Sequence, residues 1–321
     1  GPTPESMVVS LEFSFRQCIN LTAIDSNIYN SGYSRNLVLA CAKLRSFPRI
    51  ENVSRLDSAW TSATGLTKFP LLDTSNVQYF TGAWSGCTGL TEFPAIDTSN
   101  AISLYQSWFG CSNLQSFPLI DTSSGPDIRY AWRACSSLTS FPTIDTSSCT
   151  SFDQTWMNCS GLTTFPLLDT SSSTDFRNAW QGCSGLTTFP SLNLSSGTRF
   201  AYAWAFCSSL TDFPANLFDN CTTQFDNFAF NNTWLNCTSL TSTSVENILN
   251  SISVSAASGT PPTSGTGISI SYNASSGTPD ITVPAVDLIA KGWIPTLNGS
   301  AKNNAYSSDF ATLDLDFATN L

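Results

Sequence analysis

The chain has 321 residues, of which 41% are hydrophobic and only 11% are charged, and its formal net charge is −10 at pH 7 with no histidine. Such a chain can bury a large core, whereas binding to nucleic acid or to anionic membranes requires clusters of lysine and arginine that it lacks. Without histidine, Ser–His and Cys–His catalysis are excluded, and no run of about 18 apolar residues predicts membrane insertion.

Residues 1–40 are predicted to form an N-terminal cap with a degenerate first repeat. Cys18, Leu21 and Ile24 are spaced three residues apart, and the same spacing returns at Cys41 and Leu44. Regular repeats are therefore expected to begin near residue 41.

Residues 41–240 carry a fixed period of 24. The tryptophans of this period are Trp60, Trp84, Trp108, Trp132, Trp156, Trp180 and Trp204, and Trp234 follows after 30 residues. Phe-Pro pairs keep the same step from Phe69-Pro70 to Phe213-Pro214. A constant period in the twenties is typical of a solenoid, and the chain has room for about ten coils.

Each repeat contains two patterns with different periodicity. An apolar residue, a tryptophan and a cysteine follow one another at i, i+4 and i+7, as at Leu104, Trp108 and Cys111, which is the spacing of one helical face. The Leu-x-x-Phe-Pro segment instead predicts a short strand that ends at the phenylalanine, because proline is excluded from a sheet interior. The predicted fold class is an α/β solenoid that resembles a leucine-rich repeat, with a short parallel strand and a short helix in each coil.

Residues 241–321 differ in composition and are predicted to form a C-terminal cap with a tail. Helices are expected around 244–250 and 284–291, the second one ending at Gly292. The Gly-, Ser- and Thr-rich segment 253–283 predicts a hairpin or a loop. The tail contains the weak echo 309–312 and 316–319.

The cysteines form a series on the same period. Its members are Cys87, Cys111, Cys135, Cys159, Cys183, Cys207 and Cys237. Ala63 stands at an equivalent position, which a small buried side chain tolerates and a disulfide does not, so buried thiols are favoured over disulfides or a metal site. Cys18, Cys149 and Cys221 lie off the series, and Cys221 with Cys237 is the pair to test first for a bridge.

Five aspartates repeat in an Asp-Thr-Ser motif: Asp73, Asp97, Asp121, Asp145 and Asp169. The structural interpretation is that each carboxylate accepts hydrogen bonds from its own turn. Two alternatives stay open at this stage, a row of cation sites at Asp97, Asp121, Asp145 and Asp169, and a pair of carboxylates that hydrolyses a glycan.

The exposed positions of the predicted strands form a polar surface, here called the strand face. It comprises the two residues after each repeat's leucine, from Thr67-Lys68 to Thr211-Asp212. The candidate ligand-binding residues on this face are Thr67, Thr91, Thr139, Ser140, Thr163, Thr164, Thr187 and Thr188.

The repeat Cys-x-x-Leu-Thr-x-Phe-Pro-x-Ile-Asp-Thr-Ser, followed by Ala-Trp-x-x-Cys, resembles the BspA-like leucine-rich repeats of bacterial surface proteins. The resemblance covers about residues 41–293 and includes Gly86-Cys87 and Gly182-Cys183. The tryptophan-rich variant, with its ending Lys291-Gly292-Trp293, is similar to copies encoded by tailed phages, particularly marine ones. The resemblance to this family implies adhesion, host recognition or surface display, and it implies no set of catalytic residues.

The sequence and this resemblance together predict a non-enzymatic binding module on a virion or a cell surface. Its expected partner is a host surface glycan or protein, with no cofactor, and residues 241–321 are a candidate attachment region. The alternatives are a structural or assembly protein of a virion, and a glycan hydrolase that uses the repeated aspartates.

Overall fold

The structure is a computed structural model of the chain. It describes residues 12–24, 34–47, 50, 53–226, 228–258 and 266–299. Up to residue 240 the described residues form stacked coils, and backbone hydrogen bonds join each coil to the next one along the chain. Two helices and a two-stranded sheet follow.

The core is a continuous stack of aromatic rings along the solenoid. From Trp60 to Trp234 the indole rings of consecutive coils lie nearly parallel, with centroids 5.3–6.1 Å apart and interplanar angles of 1–11°. The phenylalanine of each Phe-Pro pair meets the indole of its own coil edge-on at 4.7–5.1 Å. All eight indoles are fully buried, so the tryptophans form the centre of the core.

The segment around each tryptophan folds as consecutive turns, here called the turn ribbon and defined as the residues from four before to three after the tryptophan. In the ribbon 80–87, the N–H groups of residues 80, 82, 84 and 86 donate to carbonyl oxygens of the next coil at 2.7–2.9 Å. The N–H groups of Ala83, Ser85 and Cys87 close turns onto residues three positions earlier. Successive ribbons are therefore paired side by side, in the manner of parallel strands.

The prediction of a short helix in each coil is wrong, because the described residues before Ser242 contain no helix. The positions two before and two after the tryptophan have left-handed backbone. Gly82 and Gly86 have φ of 62° and 71°, and Gln154 and Asn158 have φ of 57° and 63°. Right-handed helices exclude such residues, and the N–H groups that a helix needs are bonded to the next coil instead. The spacing i, i+4, i+7 reflects the inward positions of the turn ribbon.

The prediction of a short parallel strand in each coil is confirmed in one respect only: equivalent segments of neighbouring coils lie side by side in parallel. In their described parts, the Leu-x-x-Phe segments form isolated bridges, Ala23 to Ser46 and Thr188 to Asp212, and no continuous strand. From Thr91 to Thr211, the N–H of the residue after each leucine donates to the equivalent carbonyl oxygen of the preceding coil at 2.9–3.5 Å. The proline after each phenylalanine lacks the N–H group that a longer ladder would need.

Two helices follow the last coil. Helix α1, Ser242–Val254, begins after Thr241, whose hydroxyl oxygen accepts the N–H of the third helix position. On this helix, the hydroxyl oxygen of Ser251 accepts the N–H of Phe218 at 2.7 Å, so the helix satisfies backbone groups at the end of the solenoid. Helix α2 spans Thr282–Ala290. No described helix has both the length and the apolar character that crossing a bilayer requires.

Strand β1, Thr266–Tyr272, pairs in parallel with strand β2, Trp293–Gly299. A parallel bridge between Trp234 and Ile270 joins β1 to the last turn ribbon, so the sheet continues the stacking of the coils. The prediction of a hairpin or a loop in 253–283 is wrong for Thr266–Tyr272, which forms strand β1 and finds its partner after α2.

The helices predicted around 244–250 and 284–291 are confirmed. The division at residues 40 and 240 and the count of about ten coils stay predictions. The tail with the echo 309–312 and 316–319 lies outside the described residues.

Candidate functional site

The series cysteines are buried thiols that bond to the turn ribbon. The Sγ–H of Cys111 donates to the carbonyl oxygen of Trp84 in the preceding coil at 3.2 Å, and the other members repeat the contact at 3.0–3.2 Å. Burial raises the pKa of the Cys87 thiol to about 12. All eleven cysteines are unbridged, including Cys221 and Cys237, and Cys18 is the exposed one. The prediction of buried thiols is confirmed.

The repeated aspartates close their own turns. Ser147 donates both its N–H and its hydroxyl to Oδ1 of Asp145, at 3.0 and 2.7 Å. The same pair of bonds occurs at the other four aspartates. The threonine between them ties the turn to the next coil, as the hydroxyl of Thr146 donates to the carbonyl oxygen of Asp169 at 2.5 Å. The structural interpretation of the motif is confirmed.

These contacts bear on the chemistry open to the aspartates. Hydrogen bonds from serine lower the pKa of Asp121, Asp145 and Asp169. A general acid for glycan hydrolysis needs a raised pKa instead, so these three carboxylates are unsuited to that role. Within the described residues, no group of three or more cysteine or acidic side chains has a geometry that holds a metal ion.

The strand face lies open to solvent. All eight candidate residues are exposed, namely Thr67, Thr91, Thr139, Ser140, Thr163, Thr164, Thr187 and Thr188. The phenylalanine rings behind this face stack with centroids 5.5–6.4 Å apart. The exposed hydroxyl groups therefore repeat along the solenoid at about the same interval.

The strand face has two columns of side chains: the first consists of the residue directly after each leucine, and the second of the residue after that. The two columns use their hydroxyl groups differently. In the first column the hydroxyl of Thr187 donates to the carbonyl oxygen of Thr163 at 3.4 Å, which ties it to the preceding coil. The second column contains four side chains that make no hydrogen bond within the described part of the chain: Ser116, Ser140, Thr164 and Thr188. Their hydroxyl groups are available to a ligand.

The charged residues of the strand face are confined to its ends. Lys68 and Glu92 form an ion pair of 2.8 Å at the N-terminal end. They border a cleft of about 400 Å³ whose other walls are Phe-Pro residues and Ser116. Between this cleft and Asp212 the face is uncharged over four coils, from Gln115 to Thr188.

Sequence reasoning missed a row of exposed leucines beside the strand face. The residue after the Phe-Pro pair is leucine in alternate coils, and 64–65% of it is exposed: Leu71, Leu119 and Leu167. The signal was present in the sequence as a leucine that recurs every 48 residues. The repeat period by itself does not distinguish these exposed leucines from the buried leucines of the same coils.

Among solved structures the chain resembles leucine-rich proteins. It is 15% identical to a leucine rich cell surface protein from Faecalibacterium prausnitzii A2-165, with a TM-score of 0.34 over 88% of this chain and 80% of that one. It is 14% identical to a leucine-rich repeat protein from Bacteroides ovatus ATCC 8483, with a TM-score of 0.25 over 72% and 80%. No family model and no curated protein sequence matches. The fold of this chain is defined by its stack of aromatic rings and by the hydrogen bonds between its coils.

Proposed function

We propose that the chain is a non-enzymatic binding module that recognises a component of a host or cell surface and is displayed on a virion or a bacterial surface. The observation that carries the proposal is the uncharged part of the strand face, which is exposed over four coils from Gln115 to Thr188. Extended repeat surfaces of this kind are where solenoid proteins bind their partners. Residues 241–321 are left for attachment to the displaying particle.

The chemistry of the face selects a class of ligand. Hydroxyl groups cost less to desolvate than ammonium or carboxylate groups, so the face can bind a neutral glycan or a protein backbone without ion pairs. The hydroxyl groups of Ser140, Thr164 and Thr188 supply donors and acceptors at regular intervals. Binding to this face should depend little on ionic strength, because no charged side chain takes part.

The proposal is tested by adsorption of the purified chain to candidate host cells. A double variant, Thr164→Lys with Thr188→Lys, puts two charged side chains into the uncharged face and should reduce adsorption at least about ten-fold, since burying an unpaired ammonium costs several kcal/mol. The matched control is Ser172→Lys with Ser196→Lys, which adds the same charge eight residues further along each coil.

Loss of adsorption in the first variant alone supports the strand face. Equal adsorption by the first variant and the parent moves the site elsewhere, with residues 241–321 as the next region to test. Release of sugar from the cells would overturn the non-enzymatic proposal.

A further inference from the structure

Basic residues are scarce in this chain, and their distribution is uneven. Between Lys68 and Lys291 the sequence contains four of them: Arg129, Arg133, Arg177 and Arg199. Three of the four, all except Arg133, line a single groove of about 580 Å³. This groove is formed by residues at the start of the turn ribbons and just before them, and it shares no lining residue with the strand face.

The groove is built from equivalent positions in consecutive coils. Parallel bridges join Ser151 to Asp175 and Asp175 to Arg199, so these three side chains follow one another along the solenoid axis. Thr150 directly precedes Ser151, and Thr174 directly precedes Asp175. Both threonines are exposed and line the same groove. A neutral, an acidic and a basic side chain therefore follow one another beside the hydroxyl groups of the two threonines.

Two of the arginines are held in place by the aspartate two residues before them. Asp175 accepts bonds from Nε and NH2 of Arg177 at 2.9 and 2.6 Å, and also from the backbone N–H of that residue at 3.1 Å. Asp127 and Arg129 repeat the arrangement at 2.9 and 2.7 Å. Planar two-point pairing fixes the orientation of a guanidinium group.

The third arginine bridges coils. Arg199 pairs with Asp226, and its NH1 lies 3.8 Å from Oδ2 of Asp175. The side chains of Arg177 and Arg199 are 46% and 48% exposed, whereas that of Asp175 is only 9% exposed. The fixed carboxylate thus lies beneath two guanidinium groups that face solvent.

These groups retain capacity for a ligand. A guanidinium has five N–H donors, so pairing with one carboxylate leaves donors unused, and a carboxylate oxygen accepts more than one hydrogen bond. Three arginines line the groove with Asp127 and Asp175, and Asp226 pairs with Arg199, so each guanidinium group has a carboxylate partner. The groove therefore offers guanidinium donors together with carboxylate and hydroxyl acceptors.

We propose that this groove binds an acidic saccharide. The ligand carboxylate would pair with Arg177 and Arg199, and its hydroxyl groups would donate to Asp127 and bond with Thr150 and Thr174. A single carboxylate suits these paired guanidinium groups better than a doubly charged phosphate monoester, because the neighbouring aspartates repel the second negative charge as well. The site is independent of the strand face and of the function proposed for it.

The experiment is calorimetric titration of the full chain with an oligomer of galacturonic acid and with a neutral oligomer of galactose. The acidic oligomer should bind, the neutral one should bind at least about ten-fold more weakly, and affinity for the acidic one should fall as NaCl is raised. Arg199→Gln should weaken binding about ten-fold or more. The matched control, Arg133→Gln, removes the same charge from a ribbon residue outside the groove and should change affinity less than about three-fold.

A second variant guards against misfolding. Thr174→Glu adds a negative charge to the groove without removing an ion pair and should also abolish binding, with an unchanged melting temperature. No binding of the acidic oligomer, equal binding of the neutral one, or equal loss in Arg133→Gln would each overturn the proposal. Thr164→Lys with Thr188→Lys should leave this titration unchanged, so failure here is distinguishable from failure of the strand-face proposal.

Discussion

Trp108 stacks on Trp132 with ring centroids 5.5 Å apart and 4° between the ring planes. Its other face stacks on Trp84 at 5.3 Å, so the indole is enclosed between its equivalents in the two adjacent coils. The Nε1–H of Trp108 has no hydrogen-bond acceptor among the described residues, and the same holds for the other seven indoles of the stack. Ring shape and stacking, rather than hydrogen bonding, therefore select tryptophan at these positions.

Trp108→Ala should lower the free energy of unfolding by about 3–5 kcal/mol, because it leaves a cavity between two rings that cannot close. Trp108→Phe should cost clearly less, since it keeps a ring and removes an N–H group whose burial without an acceptor costs about 1–3 kcal/mol. Denaturant unfolding measures both. Gln115→Ala, at an exposed position, is the control and should stay within about 0.5 kcal/mol of the parent. Equal stability of Trp108→Ala and the parent would contradict a buried stack.

Thiol accessibility provides a second prediction. At a pH of about 8, a thiol reagent should label only Cys18 in the folded chain, because the other ten cysteines are buried and burial raises the pKa of thiols such as Cys183 to about 12. After unfolding, all eleven should react, which mass spectrometry of labelled peptides can count. Cys18→Ser should remove the fast reaction. Rapid labelling of Cys111 in the folded chain would argue against the packed ribbon.

The left-handed positions of the turn ribbon predict opposite effects for two exchanges of glycine and alanine. Gly110 has φ of 72°, and a Cβ there would meet nothing closer than 3.8 Å, so Gly110→Ala should destabilise by about 1 kcal/mol through backbone strain alone. Ala134 occupies the equivalent position one coil later with φ of 61°. Ala134→Gly should therefore leave stability unchanged or raise it by up to about 1 kcal/mol. Chemical denaturation compares the two, and destabilisation by both exchanges would refute the left-handed assignment.

The repeated aspartates predict a dependence of stability on acid. In the folded chain, hydrogen bonds from serine hold the pKa of Asp121, Asp145 and Asp169 below the value of a free carboxyl. A lowered folded pKa gives stability that is present above the unfolded pKa, about 3.9, and is lost as the pH falls through the folded value. Replacing all three aspartates by asparagine should make the melting temperature depend less on pH between about pH 5 and pH 2.

Asparagine is a suitable replacement because Asn193 already accepts the N–H of Ser195 at 3.1 Å in an equivalent turn. The variant should therefore fold like the parent near neutral pH. If it loses stability in acid as steeply as the parent does, the pH dependence has another source.

The repeat pattern alone is enough to predict the stacked coils and their period. A tryptophan and a Phe-Pro pair every 24 residues give each coil the same large rings to bury, and stacking the coils buries them together. Ala63 within the cysteine series already argued against disulfides. The Asp-Thr-Ser turns were also predictable, because their hydrogen bonds span only two residues. The two helices after the last coil were recognisable because helix formation also depends on residues that are close in sequence.

How each coil folds between its tryptophan and its Phe-Pro pair depends on contacts with the neighbouring coils. A helix and the turn ribbon place the residues i, i+4 and i+7 on the same side, and the choice between them depends on hydrogen-bond partners in the next coil. Those partners appear only when the coils stack, as when the N–H of Trp84 finds the carbonyl oxygen of Ser107 at 2.8 Å. The arginine groove has the same origin, since Asp175 and Arg199 meet because two coils lie side by side.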